Sequence, residues 1–595
     1  MAETQARFPE GIPFIVANEG AERFSFYGMR QILYIYMVGL FTRFVVDGDV
    51  SVEQLANAKV RSTQITHAFF GGAYMFTLLG ATVADRLLGK YRTILWVSLI
   101  YCSGHAVLAV AGNVATKGQY ATAETMIYVG LGLIAFASGG IKPCIAANLG
   151  DQFTKENAGL LDIVFQIFYY VINFGSFLST LLTPWLYRHY GAEVAFGVPG
   201  VLMFVATFIF WLGRRRFVQR APVTTPTLGL LDTFATLALF TPIFVVLWGV
   251  LNGWNAMADI AIAIVGVTIG SGLTYVRYRI QPHPSLLAVL GYAATHRTPG
   301  EPFFASAERQ FGKEDTEGVP AVLRIALVFV MISMFWALYD QHASTWVEQA
   351  RHMDLKFTVP TLFWYWFAIP SLLVGVIFSA FWLLRFVSNK PLSRSTNLAF
   401  IGLVGAWCVG AAVTQAIHGA HETLAFDPAQ SSALNPFFIL LMIPLLNIVV
   451  FRPLQRAGRP LSHLARMTIG MFLTSLSFVA VALIQAHLED YGDGSLHVVW
   501  QAIPYIMLTT GEVLVSTTGL EFAYTQAPRA MKSTIMGLFY LAITLGDLFV
   551  IAMAPLMKQS FSTFFWTFAA LMAGASVLFV VIAKRYKGQV YLQDA

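Results

Sequence analysis

Long apolar segments alternate with short polar ones along this chain, and the apolar stretches have the length of membrane crossings. A helix needs about 20 mostly apolar residues to span the hydrocarbon layer, and segments at least that long recur from one end to the other. The pattern predicts spans at 14–41, 62–86, 92–112, 124–149, 158–187, 191–213, 228–251, 255–276, 321–350, 361–387, 395–417, 434–451, 463–486, 497–525, 532–556 and 562–583. About sixteen crossings put both termini on one side. Basic residues decide which side, because cytoplasmic loops carry an excess of Lys and Arg. Of the 38 Lys and Arg, 27 fall on the side of the termini and 8 on the other; Arg23, Arg30 and Lys142 lie inside predicted spans. Both termini are therefore expected to be cytoplasmic. The longest polar stretch, about 280–320, is rich in Pro, Gly and charge and reads as a linker between two halves.

Composition agrees with this picture. The 595 residues are 57% hydrophobic and 12% charged, with a mean hydropathy of +0.64, whereas soluble domains carry about 25% charged residues. The fold class is an all-α polytopic membrane protein. A net charge of +6 follows from topology and calls for no nucleic-acid partner. Cys102, Cys144 and Cys408 sit in apolar segments at no metal-ligand spacing, so neither a disulfide framework, a metal nor a cofactor is expected.

The first span breaks the apolar rule. Glu19, Glu22, Arg23, Tyr27, Arg30 and Tyr34 recur at helical steps and share one stripe. A charge inside hydrocarbon costs at least a few kcal/mol, about 2.5–3.5 on insertion scales, so such groups mark function by default. Two carboxylates and two guanidiniums on one stripe point to proton handling beside an anion site; the competing reading is a helix end with snorkelling charges.

Further motifs converge on a family. Gly80-Ala-Thr-Val-Ala-Asp85-Arg86-Leu-Leu-Gly89-Lys90-Tyr-Arg92 resembles the loop between the second and third helices of the major facilitator superfamily. Phe168-Tyr-Tyr-Val-Ile-Asn173-Phe-Gly175, Phe335-Trp336-Ala-Leu-Tyr-Asp340-Gln341, Gln430-Ser-Ser-Ala-Leu-Asn435-Pro436 and Glu521-Phe-Ala-Tyr524 through Pro528 to Lys532-Ser533 extend the match. With the Glu19/Glu22/Arg23 motif, the chain resembles the proton-dependent oligopeptide transporter family. The resemblance implies a major facilitator fold of two six-helix bundles. Bundles at 1–220 and 321–595 would flank a hairpin and linker at 221–320. A second hairpin near 361–418 departs from the family pattern; Arg385, Lys390 and Arg394 would place its tip inside.

The resemblance also implies roles. Proton coupling would fall to Glu19, Glu22, Arg23, His67 and Asp340, and gating salt bridges to Arg30 with Asp340 and Lys142 with Glu512. A peptide's carboxylate, ammonium and amide would meet Tyr27, Arg30, Tyr74, Lys142, Asn173, Trp336, Asn435, Glu512 and Ser516. Phe26 stands where the family motif has a tyrosine, which removes one hydroxyl from the site. The histidine at 67 resembles that of animal peptide transporters, and an imidazole titrates between pH 5 and 8; a hydrogen-bonded structural histidine is the other reading. Asp547 matches no family motif and either faces the cavity or lines a helix contact. The function expected is proton-coupled import of di- and tripeptides by a non-enzymatic monomer in the lipid bilayer of a bacterial inner membrane. Transport of nitrate or another small anion, and a non-transporting peptide sensor, are the alternatives.

Overall fold

The computed structural model describes residues 8–43, 50–154, 157, 160–281, 286–298, 300–360, 421–526 and 532–586, with scattered positions between 402 and 419. Most of the expected hairpin at 361–387 and 395–417, with Arg385, Lys390, Arg394 and Cys408, lies outside the described residues.

Five helices open the chain: α1 (Ile12–Arg43), α2 (Val52–Val83), α3 (Lys90–Thr116), α4 (Tyr120–Asp151) and α5 (Leu161–Leu212). Local signals set their ends. Ser51 and Gln54 form a reciprocal capping box that satisfies orphan amides at the start of α2. Gly89, at φ +81°, takes the left-handed turn that leads into α3. The expected spans 158–187 and 191–213 fall on the two halves of α5, which is broken at Gly191, where φ is +82° and ψ is 179°.

The hairpin expected within 221–320 comprises α6 (Pro226–Leu239), α7 (Thr241–Asn252) and α8 (Ala256–Ile280), with a 41° bend between α6 and α7. It docks on the charged loop after α2. Asp232 reaches Arg86 at 2.8 Å and Arg277 at 3.3 Å, and the Thr224 hydroxyl donates to the Arg86 carbonyl at 2.8 Å. Two short helices, α9 (Leu286–Thr295) and α10 (Ala305–Phe311), occupy the linker.

The remaining helices are α11 (Lys313–Tyr339), α12 (Thr345–Arg351), α13 (Leu434–Leu446), α14 (His463–Tyr491), α15 (Ala502–Glu512), α16 (Thr518–Gln526), α17 (Lys532–Met553) and α18 (Phe561–Arg585). A 3₁₀ turn, Asp340–Ala343, separates α11 from α12. Strands β1 (Lys356–Pro360) and β2 (His421–Ala425) pair antiparallel, with Thr358 opposite Thr423, where the chain leaves for the inserted segment and returns.

Among the described residues, eleven helical stretches are long and apolar enough to cross a membrane, or twelve with α6–α7 taken as one bent span. The expectation of about sixteen is not reached, for physical reasons. The polar stripe of α1 dilutes its apolar character, the stretch Ile167–Arg215 counts once although Gly191 breaks it, and the inserted hairpin lies largely outside the description. Buried apolar side chains gather into two large cores. One runs from Ile12 to Phe217 with Ala343 added; the other runs from Val289 to Phe579 with Val60 added. Close helix approach depends on small residues, as membrane packing favours: a Cβ on Gly80 would sit 2.5 Å from the Gly140 Cα.

Candidate functional site

Ionisable side chains line the seam between the two cores. Two sides can be distinguished: the terminal side, where α1 begins and α18 ends, and the far side, where α1 gives way to α2.

On α1 the helical repeat holds Glu19, Glu22, Arg23 and Arg30 on the buried face. Arg23 Nε lies 2.6 Å from Glu19 and 3.1 Å from Glu22, and the Ser138 hydroxyl of α4 donates to Glu22 at 3.1 Å. Both carboxylates are almost fully buried, so the arrangement is one cation shared by two acids, with Glu22 tied to α4. Two turns on, Arg30 reaches across the seam to Asp340 in the 3₁₀ turn, 2.5 Å away, each side chain 1% exposed. The Arg30 guanidinium also lies 3.9 Å from the centre of the Phe70 ring. The break in helical hydrogen bonding after Tyr339 is what turns Asp340 toward α1.

His67 is fully buried between two groups of the second core. Its Nδ1 lies 2.7 Å from Asp547 of α17 and its Nε2 lies 2.9 Å from the Ser344 hydroxyl. Farther toward the far side, Lys59 of α2 meets Glu348 of α12 at 2.7 Å, and Arg351 and His352 converge on the same carboxylate at 3.0 and 3.4 Å. His352 also contacts Asp493 at 2.9 Å. Its hydrogen bond with Glu348, and secondarily that with Asp493, hold the imidazole above its ordinary pKa of 6.5 against the opposing effect of burial.

The expected Lys142–Glu512 pair is not formed. Lys142 Nζ has no hydrogen-bond partner among the described residues and packs 4.0 Å from the Phe26 ring centre and 4.1 Å from that of Tyr74. Glu512 instead accepts from the Tyr339 hydroxyl at 3.0 Å and from the Asn435 amide at 2.8 Å. The reason is positional: Lys142 borders a cleft of about 300 Å³ on the terminal side, lined also by Leu78, Asp85, Leu520, Gly537 and Tyr540.

Other expected site residues are spread more widely. Tyr27 is half-buried beside Phe26, and Tyr74 stacks on Tyr540. Trp336 packs edge-on against Tyr339 and Phe539, and its indole nitrogen has no hydrogen-bond partner among the described residues. The Asn173 amide is engaged within its own helix, donating to the Tyr169 carbonyl at 2.9 Å. Ser516 lies half-buried in the π turn Val513–Thr517. Sequence reasoning missed Lys59, Glu348 and Asp547 as partners. Charge inside an apolar run is the signal that flagged Asp547, but nothing in one sequence names the residue across the seam.

A family model described as the POT family matches residues 91–404 and 405–571 of this chain. The mouse protein "Solute carrier family 15 member 2" is 29% identical over 484 residues, covering 80% of this chain and 49% of that protein. The chain thus spans about half the length of this relative. A crystal structure of an auto-inhibited POT family peptide transporter superposes with a TM-score of 0.69 at 30% identity, covering 99% of both chains. The POT family transporter PepTSo gives 0.68 at 32% identity, covering 98% of this chain and 99% of that one.

Proposed function

Because this chain belongs to the POT family and is an integral membrane protein, we propose that it is a proton-coupled symporter importing di- and tripeptides by alternating access. Its two cores act as the two bundles of a major facilitator fold, with the termini and the terminal side cytoplasmic and the far side outside.

The observation that carries this reading is the string of buried and half-buried ionisable groups running the length of the seam, from Glu19, Glu22 and Arg23 through Lys142 and Glu512 to Arg30 and Asp340. Buried charges are costly to keep, and a static scaffold has no need of them along an interface. A zwitterionic peptide offers a carboxylate to Arg30 and Lys142, which suit charge-assisted hydrogen bonds. Its ammonium goes to Glu512, already oriented by Asn435 and Tyr339. Tyr27, Tyr74, Trp336, Asn173 and Ser516 border the peptide's side chains. A proton taken by Asp340, His67 or the Glu19/Glu22 pair weakens the ion pairs that close one side, and the bundles rock to expose the other.

The runner-up, transport of nitrate or another small anion, would use the cations alone. The test is uptake of labelled di-alanine into liposomes holding the purified protein, under an acid-outside gradient, with nitrate and single amino acids as competitors. Gradient-driven accumulation that disappears in Glu22→Gln while counterflow exchange persists is the expected result. Competition by nitrate alone would replace this reading with the anion one, and binding with no uptake would make the protein a sensor.

A further inference from the structure

Two cross-bundle contacts close the far side around His67 and Arg30, and only one of them, Arg30 with Asp340, was anticipated from family motifs. The other joins α2 to α17. His67 and Asp547 are each fully buried, with Nδ1 and Oδ1 2.7 Å apart. The helices approach closely at this level: the Thr544 hydroxyl donates to the Gly71 carbonyl at 2.9 Å, and a Cβ on Gly71 would lie 3.1 Å from the Asp547 Cβ. Ser344 holds the opposite ring nitrogen, so the imidazole is oriented at both ends by the second core. The second oxygen of Asp547, Oδ2, is buried with no hydrogen-bond partner among the described residues.

A carboxylate that carried only a packing role would be an expensive choice here, since a buried polar group without its full set of partners costs free energy. Arg30, the nearest cation, is already engaged by Asp340. From the elements around the pair, the charged and titratable groups that face it are Arg30 of α1, Asp340 and His342 of the 3₁₀ turn and, more distantly, Lys142 of α4. The Phe70 ring stands between Arg30 and His67, in contact with both.

We propose that Asp547 is the positioning residue of His67 in proton coupling, and that the His67–Asp547 dyad is a second proton-operated latch between the bundles, separate from Arg30–Asp340. The proposal rests on the transport reading above. When the far side opens, α2 and α17 part and the dyad meets the outer aqueous phase. Neutral imidazole and carboxylate take up one proton, held between Nδ1 and Oδ1 once the helices close again. The same proton leaves when the cycle resets; no other bond changes. Asp547 sets which ring nitrogen faces the shared proton, and Ser344 accommodates either role at Nε2.

The experiment combines transport with a direct readout of the pair. Uptake of labelled di-alanine is followed over a range of external pH in liposomes carrying wild type, Asp547→Asn, Asp547→Glu, His67→Gln and the double variant Asp547→Asn/His67→Gln. The same purified proteins are titrated by infrared difference spectroscopy in the carboxyl region. Gradient-driven uptake should fall at least tenfold in Asp547→Asn with a flattened pH profile. Asp547→Glu should restore at least a third of it, and the double variant should be no worse than twofold below the poorer single one. A carboxyl signal should vanish in Asp547→Asn and move its midpoint in His67→Gln. Retention of the wild-type pH profile in Asp547→Asn, or a carboxyl titration indifferent to His67→Gln, overturns the proposal. If wild type shows no gradient-driven uptake, the transport reading falls, while the infrared titration still decides whether the two residues share a proton. That titration needs only the wild-type and His67→Gln proteins, so a poorly folding Asp547 variant does not leave the matter open.

Discussion

The two sides of the seam treat charge in opposite ways. On the far side each buried charge that crosses between the cores finds its opposite, Arg30 with Asp340 and Lys59 with Glu348, and His67 hydrogen-bonds with Asp547. Toward the terminal side Lys142 borders a cleft and rests on the faces of Phe26 and Tyr74, while Glu512 bonds neutral groups. A latched side and an unlatched one in a single molecule are what one stage of an alternating cycle requires. The difference identifies which ion pairs carry the closed state. An ion pair removed from water is worth little in net terms, but removing one partner is costly because the other stays buried.

The largest effect is therefore expected at Asp340. Asp340→Asn keeps the shape and removes the charge, leaving Arg30 buried against a neutral acceptor. Breaking such a pair costs about 3–5 kcal/mol. That cost falls on the state with the far side closed, since opening rehydrates Arg30. Spin labels at the exposed far-side positions Val50 and Val499, one beside each core, should show a longer distance population that wild type lacks, and di-alanine uptake should drop at least tenfold. An unchanged distance distribution would mean that the far side is held shut by packing and that its charges are incidental.

How far this seam was readable from sequence depends on whether a residue's neighbours are local or distant. The stripe on α1 was legible because a 3.6-residue repeat brings Glu19, Glu22, Arg23 and Arg30 to one face without reference to any other helix. The partner of Arg30 was accessible through a motif, Trp336 to Asp340. Lys59 and Glu348 were not, because each sits near a helix end where a snorkelling charge is ordinary, and their meeting depends on the register of α2 against α12. Asp547 was visible as an anomaly but had no partner until α2 and α17 were laid together. The Lys142–Glu512 expectation failed for a different reason: Lys142 borders the terminal-side cleft, while Glu512 is held by Tyr339 and Asn435. Among the helices, the break expected between 187 and 191 is marked by Gly191, whose φ of +82° no α-helix accommodates.

The comparison sharpens at Lys142, where a smaller effect of different character is expected. Lys142→Gln removes a buried cation that has no hydrogen-bond partner among the described residues, so none of them is left as an unpaired opposite charge. What is lost is contact with two aromatic faces, about 0.5–2 kcal/mol, offset by relief of the cation's desolvation. Thermal unfolding should shift much less than in Asp340→Asn, with a net change under about 1 kcal/mol, while peptide affinity falls because a carboxylate partner is gone. Destabilisation as large as that of Asp340→Asn would erase the distinction between a latched and an unlatched side.

The smallest effect lies at the rim of the latched side, in His352. Its imidazole faces Glu348 and Asp493, with Arg351 and Lys59 sharing Glu348, and its pKa is raised above 6.5, first by the hydrogen bond with Glu348. The sign follows from linkage: a group whose pKa is raised by folding contributes stability that is fully present below its unfolded value and disappears as pH rises through the folded one. The far-side cluster should therefore loosen on the alkaline side of about 6.5 and not on the acid side. With the side chain 34% exposed, solvent screening keeps the contribution small, so the unfolding midpoint should fall by only about 1 °C between roughly pH 6 and pH 8 from this residue. His352→Gln retains polarity but cannot titrate, and its midpoint should lose that slope while the rest of the pH profile is unchanged. An identical slope in the variant would assign the pH dependence to groups deeper in the seam and reduce His352 to a spectator on Glu348.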